Sequence, residues 1–150
     1  AYLEDQGKLK AVVTQNIDGL HQKAGSKNVF ELHGSIYRNY CTKCHRFYTA
    51  EQIFSNNILP ICECGGIIKP DVVLYEERLD DNIVNGAINE ISKADTLIVG
   101  GTSLTVYPAS GLLNYFNGEN LVLINKAVTS FDFRANLVIN ESLGSVFETL

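Results

Sequence analysis

Four short apolar runs, rich in β-branched residues, are spaced along the chain. They are LKAVVTQ (9–15), DTLIVGG (95–101), NLVLIN (120–125) and NLVIN (136–140). Within each run the apolar residues are continuous and do not alternate with polar ones. This pattern is typical of strands that are covered on both faces of a parallel sheet.

Two helices are predicted between these runs. The first begins at Asp80 or Asp81, either of which is a good N-cap, and apolar residues from Ile83 to Ile91 follow at helical spacing. The second is YPASGLLNYF (107–116), with a proline near its first turn. The order strand, helix, strand, helix, strand predicts an α/β fold with right-handed crossovers and a doubly wound sheet.

The composition and net charge of the chain argue against several classes of protein. The chain has 150 residues, enough for one domain, and is 45% hydrophobic and 19% charged, which argues against disorder and against a membrane-spanning segment. A net charge of −5 argues against direct nucleic-acid binding, although Arg38, Lys43 and Arg46 form a small basic group in the sequence. The chain opens without Met inside a helix-like stretch, so we expect a fragment, and with no secretory signal we expect a cytoplasmic protein.

The four cysteines lie in the pattern C-x2-C-x17-C-x-C, as Cys41, Cys44, Cys62 and Cys64. Two such pairs can complete a tetrahedral thiolate shell, which Zn²⁺ prefers. Two disulfides or four free thiols are the alternatives, and CTKCH also matches a haem-attachment pattern. Haem would leave the second pair without a role, so we predict one Zn²⁺, which is structural because four thiolates leave no open coordination position. We expect a zinc module at 40–68, inserted into an α/β part formed by 1–39 and 69–150.

Polar or small residues follow three of the predicted strands. They are Gln15, Asn16 and Asp18; Gly101, Thr102 and Ser103; and Asn125 and Lys126. Any one of these loops could be a solvated turn. Three strand ends of the same chemistry favour a ligand with phosphate or ribose groups, because ligands of such sheets bind beyond the carboxyl ends of the strands.

His33 lies in FELHGS (30–35), between Leu32 and Gly34. An isolated histidine in such a place is often a structural residue. Beside a cofactor site, however, it is the best candidate for a general base, since imidazole titrates near neutrality and Gly34 permits close approach of a ligand.

Six motifs in one order give the chain a family resemblance. They are TQNIDGLHQKAG, ELHGS, the two cysteine pairs, KPDVVLYEE, GTSLTVYPA and LIN. Together they resemble the sirtuins, which are NAD-dependent protein lysine deacylases, and the resemblance covers essentially the whole chain. It implies a Rossmann-like domain with a smaller zinc-ribbon module, and removal of acyl groups, acetyl above all, from protein lysines to give nicotinamide and O-acyl-ADP-ribose.

The resemblance also implies roles for individual residues. His33 matches the catalytic histidine, and Asn16 matches a residue that positions water and, with Gln15, holds the nicotinamide ribose. Asp18 matches the residue that binds the nicotinamide carboxamide. The remaining NAD contacts are implied at Gly101, Thr102, Ser103, Val106, Asn125 and Lys126, and the contacts to the acyl-lysine peptide at Val72, Val73, Leu74 and Tyr75.

The chain departs from the family pattern in two places. It lacks the Gly-Ala-Gly-x-Ser stretch and the acidic-Phe-Arg loop, so the first strand–loop–helix unit is missing, and Glu76 stands where many relatives have Gly. We therefore expect this chain itself to be weak or inactive, and an exposed sheet edge to favour self-association. The alternatives to a deacylase are a mono-ADP-ribosyltransferase and a non-catalytic zinc-containing module that binds a peptide or nucleotide.

Overall fold

The computed structural model of the protein describes residues 1–54, 59–107 and 109–148. These residues form two compact units, Ala1–Val84 and Asn85–Leu150. No helix in the described part of the chain has the length and apolar character needed to cross a membrane. The predicted division at 40–68 stays a prediction.

The first unit begins with a small parallel pair. Strand β1 (Val12–Thr14) pairs with β2 (Val29–Glu31), and the helices α1 (Tyr2–Asp5) and α2 (Leu20–Lys23) flank β1 in the sequence. The carboxylate of Glu4 in α1 accepts hydrogen bonds from backbone N–H groups of the loop that leads into β2. One side chain therefore ties the first helix to the strand pair.

The rest of this unit is an antiparallel sheet built around one long strand. Strand β3 (Gly34–Cys41) lies between β4 (Phe47–Thr49) and β5 (Ile68–Val72), and the short helix α3 (Ala50–Phe54) follows β4. Its interior is small and consists of buried Cys41, Cys62 and Ile68, with two partly buried side chains packed against them. So small a core gives the sheet little hydrophobic stabilisation, which agrees with a segment held together by a metal.

Helix α4 (Asp81–Lys93) confirms the first predicted helix. The carboxylate of Asp80 accepts hydrogen bonds from the backbone N–H groups of Asn82 and Ile83, as an N-cap does. The helix buries Ala87 and Ile91, which lie one turn apart on one face.

The second unit is a three-stranded parallel sheet with β7 (Asn120–Ile124) between β6 (Thr96–Gly100) and β8 (Leu137–Ile139). Its core is formed by buried leucines, which are Leu104, Leu113, Leu121 and Leu123. With β1, these strands confirm all four strands that the apolar runs predict. A last helix, α5 (Leu143–Phe147), follows the sheet and packs Leu143 against Gly100.

The second predicted helix, over 107–116, differs from its prediction. The structure has a 3₁₀ helix at Ala109–Tyr115, and a shorter one at Asp132–Arg134; Pro108 lies outside the described residues. Gly111 and its polar neighbours Ser110 and Asn114 are weak α-helix formers, so the segment takes the tighter 3₁₀ form, with the N–H of Phe116 bonded three residues back to the carbonyl of Leu113.

Candidate active site and metal centre

The four cysteine sulfurs converge on one point. Their Sγ atoms all lie within 4.8 Å of one another, with Cys41 and Cys64 at 3.4 Å and Cys44 and Cys62 at 3.6 Å. A disulfide would need about 2.05 Å, and all four cysteines are free. Thiolates around a tetrahedral Zn²⁺ at ~2.3 Å lie about 3.8 Å apart. The predicted ligand set therefore fits one structural zinc ion.

The surroundings lower the pKa of one sulfur and raise that of another. The backbone N–H groups of Lys43 and Cys44 point at Cys41 Sγ, and the Tyr48 hydroxyl donates to Cys62 Sγ at 3.1 Å. That hydroxyl is the main reason that the pKa of Cys62 falls to about 6. A backbone N–H acts to lower the pKa of Cys64, but the neighbouring thiols raise it to about 12. Four clustered sulfurs cannot all ionise unaided, so the donor set calls for a cation.

The predicted basic group is largely neutralised by carboxylates. Arg38 pairs with Glu31 and Asp71, and Arg46 pairs with Glu63. These partners are 7, 33 and 17 residues from their arginines along the chain, so no local pattern in the sequence predicts these ion pairs.

His33 lies directly after β2, and its ring is held by the end of β1. Its Nδ1 is 3.0 Å from the main-chain oxygen of Gln15. A carbonyl oxygen can only accept, so Nδ1 carries the proton of the neutral ring and Nε2 keeps the lone pair. The carbonyl of His33 accepts from the N–H of Val73 at 3.0 Å, which places the histidine beside the segment that follows β5.

The other predicted residues of this loop have local hydrogen bonds. The N–H of Asn16 donates to the Thr14 hydroxyl, and Asp18 accepts from the N–H of Leu20, the first residue of α2, at 3.1 Å. Gly19 between them has φ +62°, a conformation that suits glycine. The side chains of Thr14 and Asp18 therefore hold the backbone of this loop.

The segment predicted to bind a peptide divides into two parts. Val72 ends β5 and Val73 bonds to His33, whereas Leu74 and the fully exposed Tyr75 belong to a turn closed by the N–H of Glu77. The carboxylate of Glu77 accepts from the N–H of Leu74 and from the Lys69 ammonium, which also contacts the carbonyl of Val72. Sequence reasoning missed this Lys69–Glu77 pair.

The predicted residues of the second unit lie at the carboxyl ends of its strands. Gly101 follows β6 with φ +65°, and its N–H donates to the carbonyl of Ile124, the last residue of β7. The hydroxyls of Ser103 and Thr105 are 2.7 Å apart, and the Thr102 hydroxyl accepts from the N–H of Leu104.

Three further predicted residues complete this end of the sheet. The side chain of Asn125 donates to the carbonyl of Ala127, while Lys126 and Val106 are exposed. The second unit thus gathers hydroxyl, amide and ammonium groups at one end of its sheet, a donor set that suits phosphate and ribose oxygens.

The sequence model of the Sir2 family matches residues 1–108. The chain belongs to the Sir2 family. The predicted resemblance to sirtuins is thereby confirmed.

Curated proteins of similar sequence agree with this family assignment. The chain is 68% identical over 148 residues to an NAD-dependent protein deacetylase of Clostridium perfringens, a match that covers 97% of this chain and 61% of that protein. It is 62% identical to one of Clostridium acetobutylicum, covering 100% of this chain and 62% of that protein. The chain thus spans about three fifths of the length of these relatives.

Solved Sir2 structures share the fold. A crystal structure of Sir2 with an inhibitor, 2′-O-acetyl-ADP-ribose and a deacetylated peptide is 40% identical, with a TM-score of 0.92 over 99% of this chain and 66% of that one. Sir2 bound to an acetylated peptide is 39% identical, with a TM-score of 0.92 over 99% and 65%. The predicted α/β class with a zinc-ribbon module is confirmed.

Proposed function

We propose that this protein is an NAD-dependent lysine deacylase, which removes acetyl and related acyl groups from protein lysines and forms nicotinamide and O-acyl-ADP-ribose. The arrangement around His33 carries the proposal: Gln15 holds the ring by Nδ1, and Val73 holds the main chain beside the peptide segment. The names of the Clostridium relatives support it, as do the acetylated and propionylated peptides in Sir2 structures.

In this proposal His33 is the general base. With Nδ1–H committed to the Gln15 carbonyl, the lone pair on Nε2 accepts a proton from a ribose hydroxyl. Bound NAD would supply an electrophilic ribose carbon, from which nicotinamide leaves as the acyl oxygen of the substrate adds. Asn16 orients water, and the carboxylate of Asp18 accepts from the carboxamide of nicotinamide.

The second unit carries the residues predicted to contact the rest of the cofactor. Ser103 and Thr102 offer hydroxyls and Gly101 offers close backbone approach at the end of β6. Asn125 serves the adenosine ribose, with Lys126 and Val106 beside it. Zn²⁺ on the four cysteines acts on structure alone, since no coordination position remains for a substrate.

The peptide would bind along Val72 and Val73, with Leu74 and Tyr75 contacting residues on either side of the acyl-lysine. Main-chain hydrogen bonds of an added strand bind many sequences, so selectivity falls on the modified lysine. The acylated peptide is thus the proposed partner of this protein.

The test is product mass spectrometry with an acetyl-lysine peptide and NAD. This chain is compared with a form extended to the length of the relatives, each as wild type, His33→Ala and His45→Asn. His45 is the matched control, because its exposed imidazole lies outside the proposed site and asparagine tolerates its φ of +57°.

We expect O-acetyl-ADP-ribose from the extended wild type and from His45→Asn, and its loss in His33→Ala. An ADP-ribosylated acceptor in place of that product would indicate a mono-ADP-ribosyltransferase. Peptide binding without NAD consumption would indicate a non-catalytic reader and overturn the proposal.

A further inference from the structure

A buried carboxylate in the first unit belongs to a network of ion pairs that links three strands. The side chain of Glu31 on β2 is only 6% exposed, and its partner is the Arg38 guanidinium on β3, 2.6 Å away. The same guanidinium donates through Nε to Asp71 on β5 at 2.8 Å. Arg38 therefore joins the parallel pair to the antiparallel sheet.

Each partner of Arg38 stands two residues before one end of a main-chain hydrogen bond at the candidate base. Glu31 precedes His33, and Asp71 precedes Val73, whose N–H donates to the carbonyl of His33 at 3.0 Å. The guanidinium therefore fixes the two backbone segments that meet at His33.

The main-chain ladder is interrupted where Arg38 acts. Pairing between β3 and β5 runs through Gly34 and Ser35, shifts register, and resumes at Asn39 opposite Pro70, which has no N–H to donate. The hydrogen bond from Arg38 to Asp71 spans this irregular stretch and supplies a link that the backbone lacks there.

Only arginine suits this place. A buried carboxylate without a partner is costly, so Glu31 requires a cation. Desolvation acts to lower the pKa of Arg38, but its hydrogen bonds to Glu31 and Asp71 raise it overall, so it stays charged. A planar guanidinium can bond two carboxylates on different strands through separate nitrogens, whereas a lysine ammonium acts as one point charge.

We propose that Arg38 is a positioning residue for His33, holding the imidazole in register with the segment at Val73 through Glu31 and Asp71. The kinetic part of this inference rests on the proposed function of His33. Its structural part concerns the ring orientation of His33 and stands without that function.

The experiment compares Arg38→Lys and Asp71→Asn with Arg134→Lys, an arginine on the second unit that bonds Asn114 and has no part in the proposed site. The ¹⁵N shifts of the imidazoles are recorded on the zinc-loaded chain, whose three histidines make assignment simple. The kcat and KM for NAD are measured on the form extended to the length of the relatives.

We expect Arg38→Lys to shift the ¹⁵N signals of His33 away from a pure Nδ1–H tautomer and to lower kcat about tenfold or more, with KM for NAD within about twofold. Asp71→Asn keeps the ion pair between Arg38 and Glu31, so it should show smaller changes in the His33 signals and in kcat. If Arg38→Lys does not fold, Asp71→Asn alone tests the inference. Arg134→Lys should match wild type in both measurements.

Unchanged His33 signals in the folded variants would overturn the inference, even with a lower melting temperature, since Arg38 would then serve stability alone. Shifted signals without any NAD consumption by wild type would refute the proposed function and leave the positioning role intact. Unchanged kcat in an active enzyme with shifted signals would show that the ring position does not limit turnover, and it would overturn the kinetic part of the inference.

Discussion

Gly34 couples the fold to the candidate base, and its substitution tests both. It follows His33 and begins β3 with φ +76°. A Cβ at this position would lie 1.9 Å from the main-chain oxygen of Asp71, whereas real Cβ contacts essentially never fall below 3.0 Å. Gly34→Ala therefore requires β3 and β5 to separate by about 1 Å.

The cost of that change follows from three terms. The left-handed backbone costs alanine about 1–2 kcal/mol. A displaced β5 would also lose the hydrogen bond from the N–H of Val73 to the carbonyl of His33, which contributes about 1 kcal/mol. Alanine also restricts the unfolded chain more than glycine does, which offsets about 0.4–1 kcal/mol of this destabilisation. We expect Gly34→Ala to destabilise the protein by about 1–2.5 kcal/mol.

The assay is urea unfolding followed by circular dichroism, at a fixed zinc concentration because bound metal stabilises the native state. Gly7→Ala is the matched control, since Gly7 has φ +67° but nothing within 4 Å of its virtual Cβ. It should cost about 1 kcal/mol or less. If Gly34→Ala costs no more than Gly7→Ala, the close approach of Asp71 to Gly34 is wrong and with it the placement of His33.

Three further outcomes are expected. Cys62→Ser should lower the zinc content below one ion per chain and expose the amides of 41–54 and 59–68 to hydrogen exchange; retention of a full equivalent would contradict the four-thiolate site. Glu76→Gly should raise the urea midpoint, because it removes the strain of a glutamate at φ +70°, and a lower midpoint would refute that reasoning. Backbone N–H groups of Lys27 and Asn28 hold the pKa of Glu4 below its ordinary 4.5, so its stabilisation is present above that pH and lost as the pH falls. The thermal midpoint of Glu4→Gln should lie below wild type at about pH 7 and approach it at about pH 3; a constant gap would argue against the shift.

Local patterns in the sequence predicted what local physics decides. Continuous apolar runs locate the parallel strands, although the expected burial on both faces holds best for β7, and Ile98 on β6 and Leu137 and Val138 on β8 are exposed. The zinc ligands could be named because each pair is formed by residues two or three positions apart, so its spacing is visible directly.

The rest depends on contacts between distant residues. The predicted contact of Gln15 with a cofactor stays a prediction, whereas its main-chain oxygen holds His33, a bond that any residue type could supply and that no pattern predicts. The strained turn at Glu76 likewise follows from loop closure that no periodicity encodes.

Arg38 shows the same limit most clearly. In the sequence it stands near the first cysteine pair beside other cations and suggests a basic surface. In the structure Arg38 forms ion pairs with Glu31 and Asp71, 7 and 33 positions away, and these pairs support the residue proposed as base. A charged residue beside a metal module thus acts on the candidate active site, because the antiparallel strand that leads from His33 to Cys41 belongs to both.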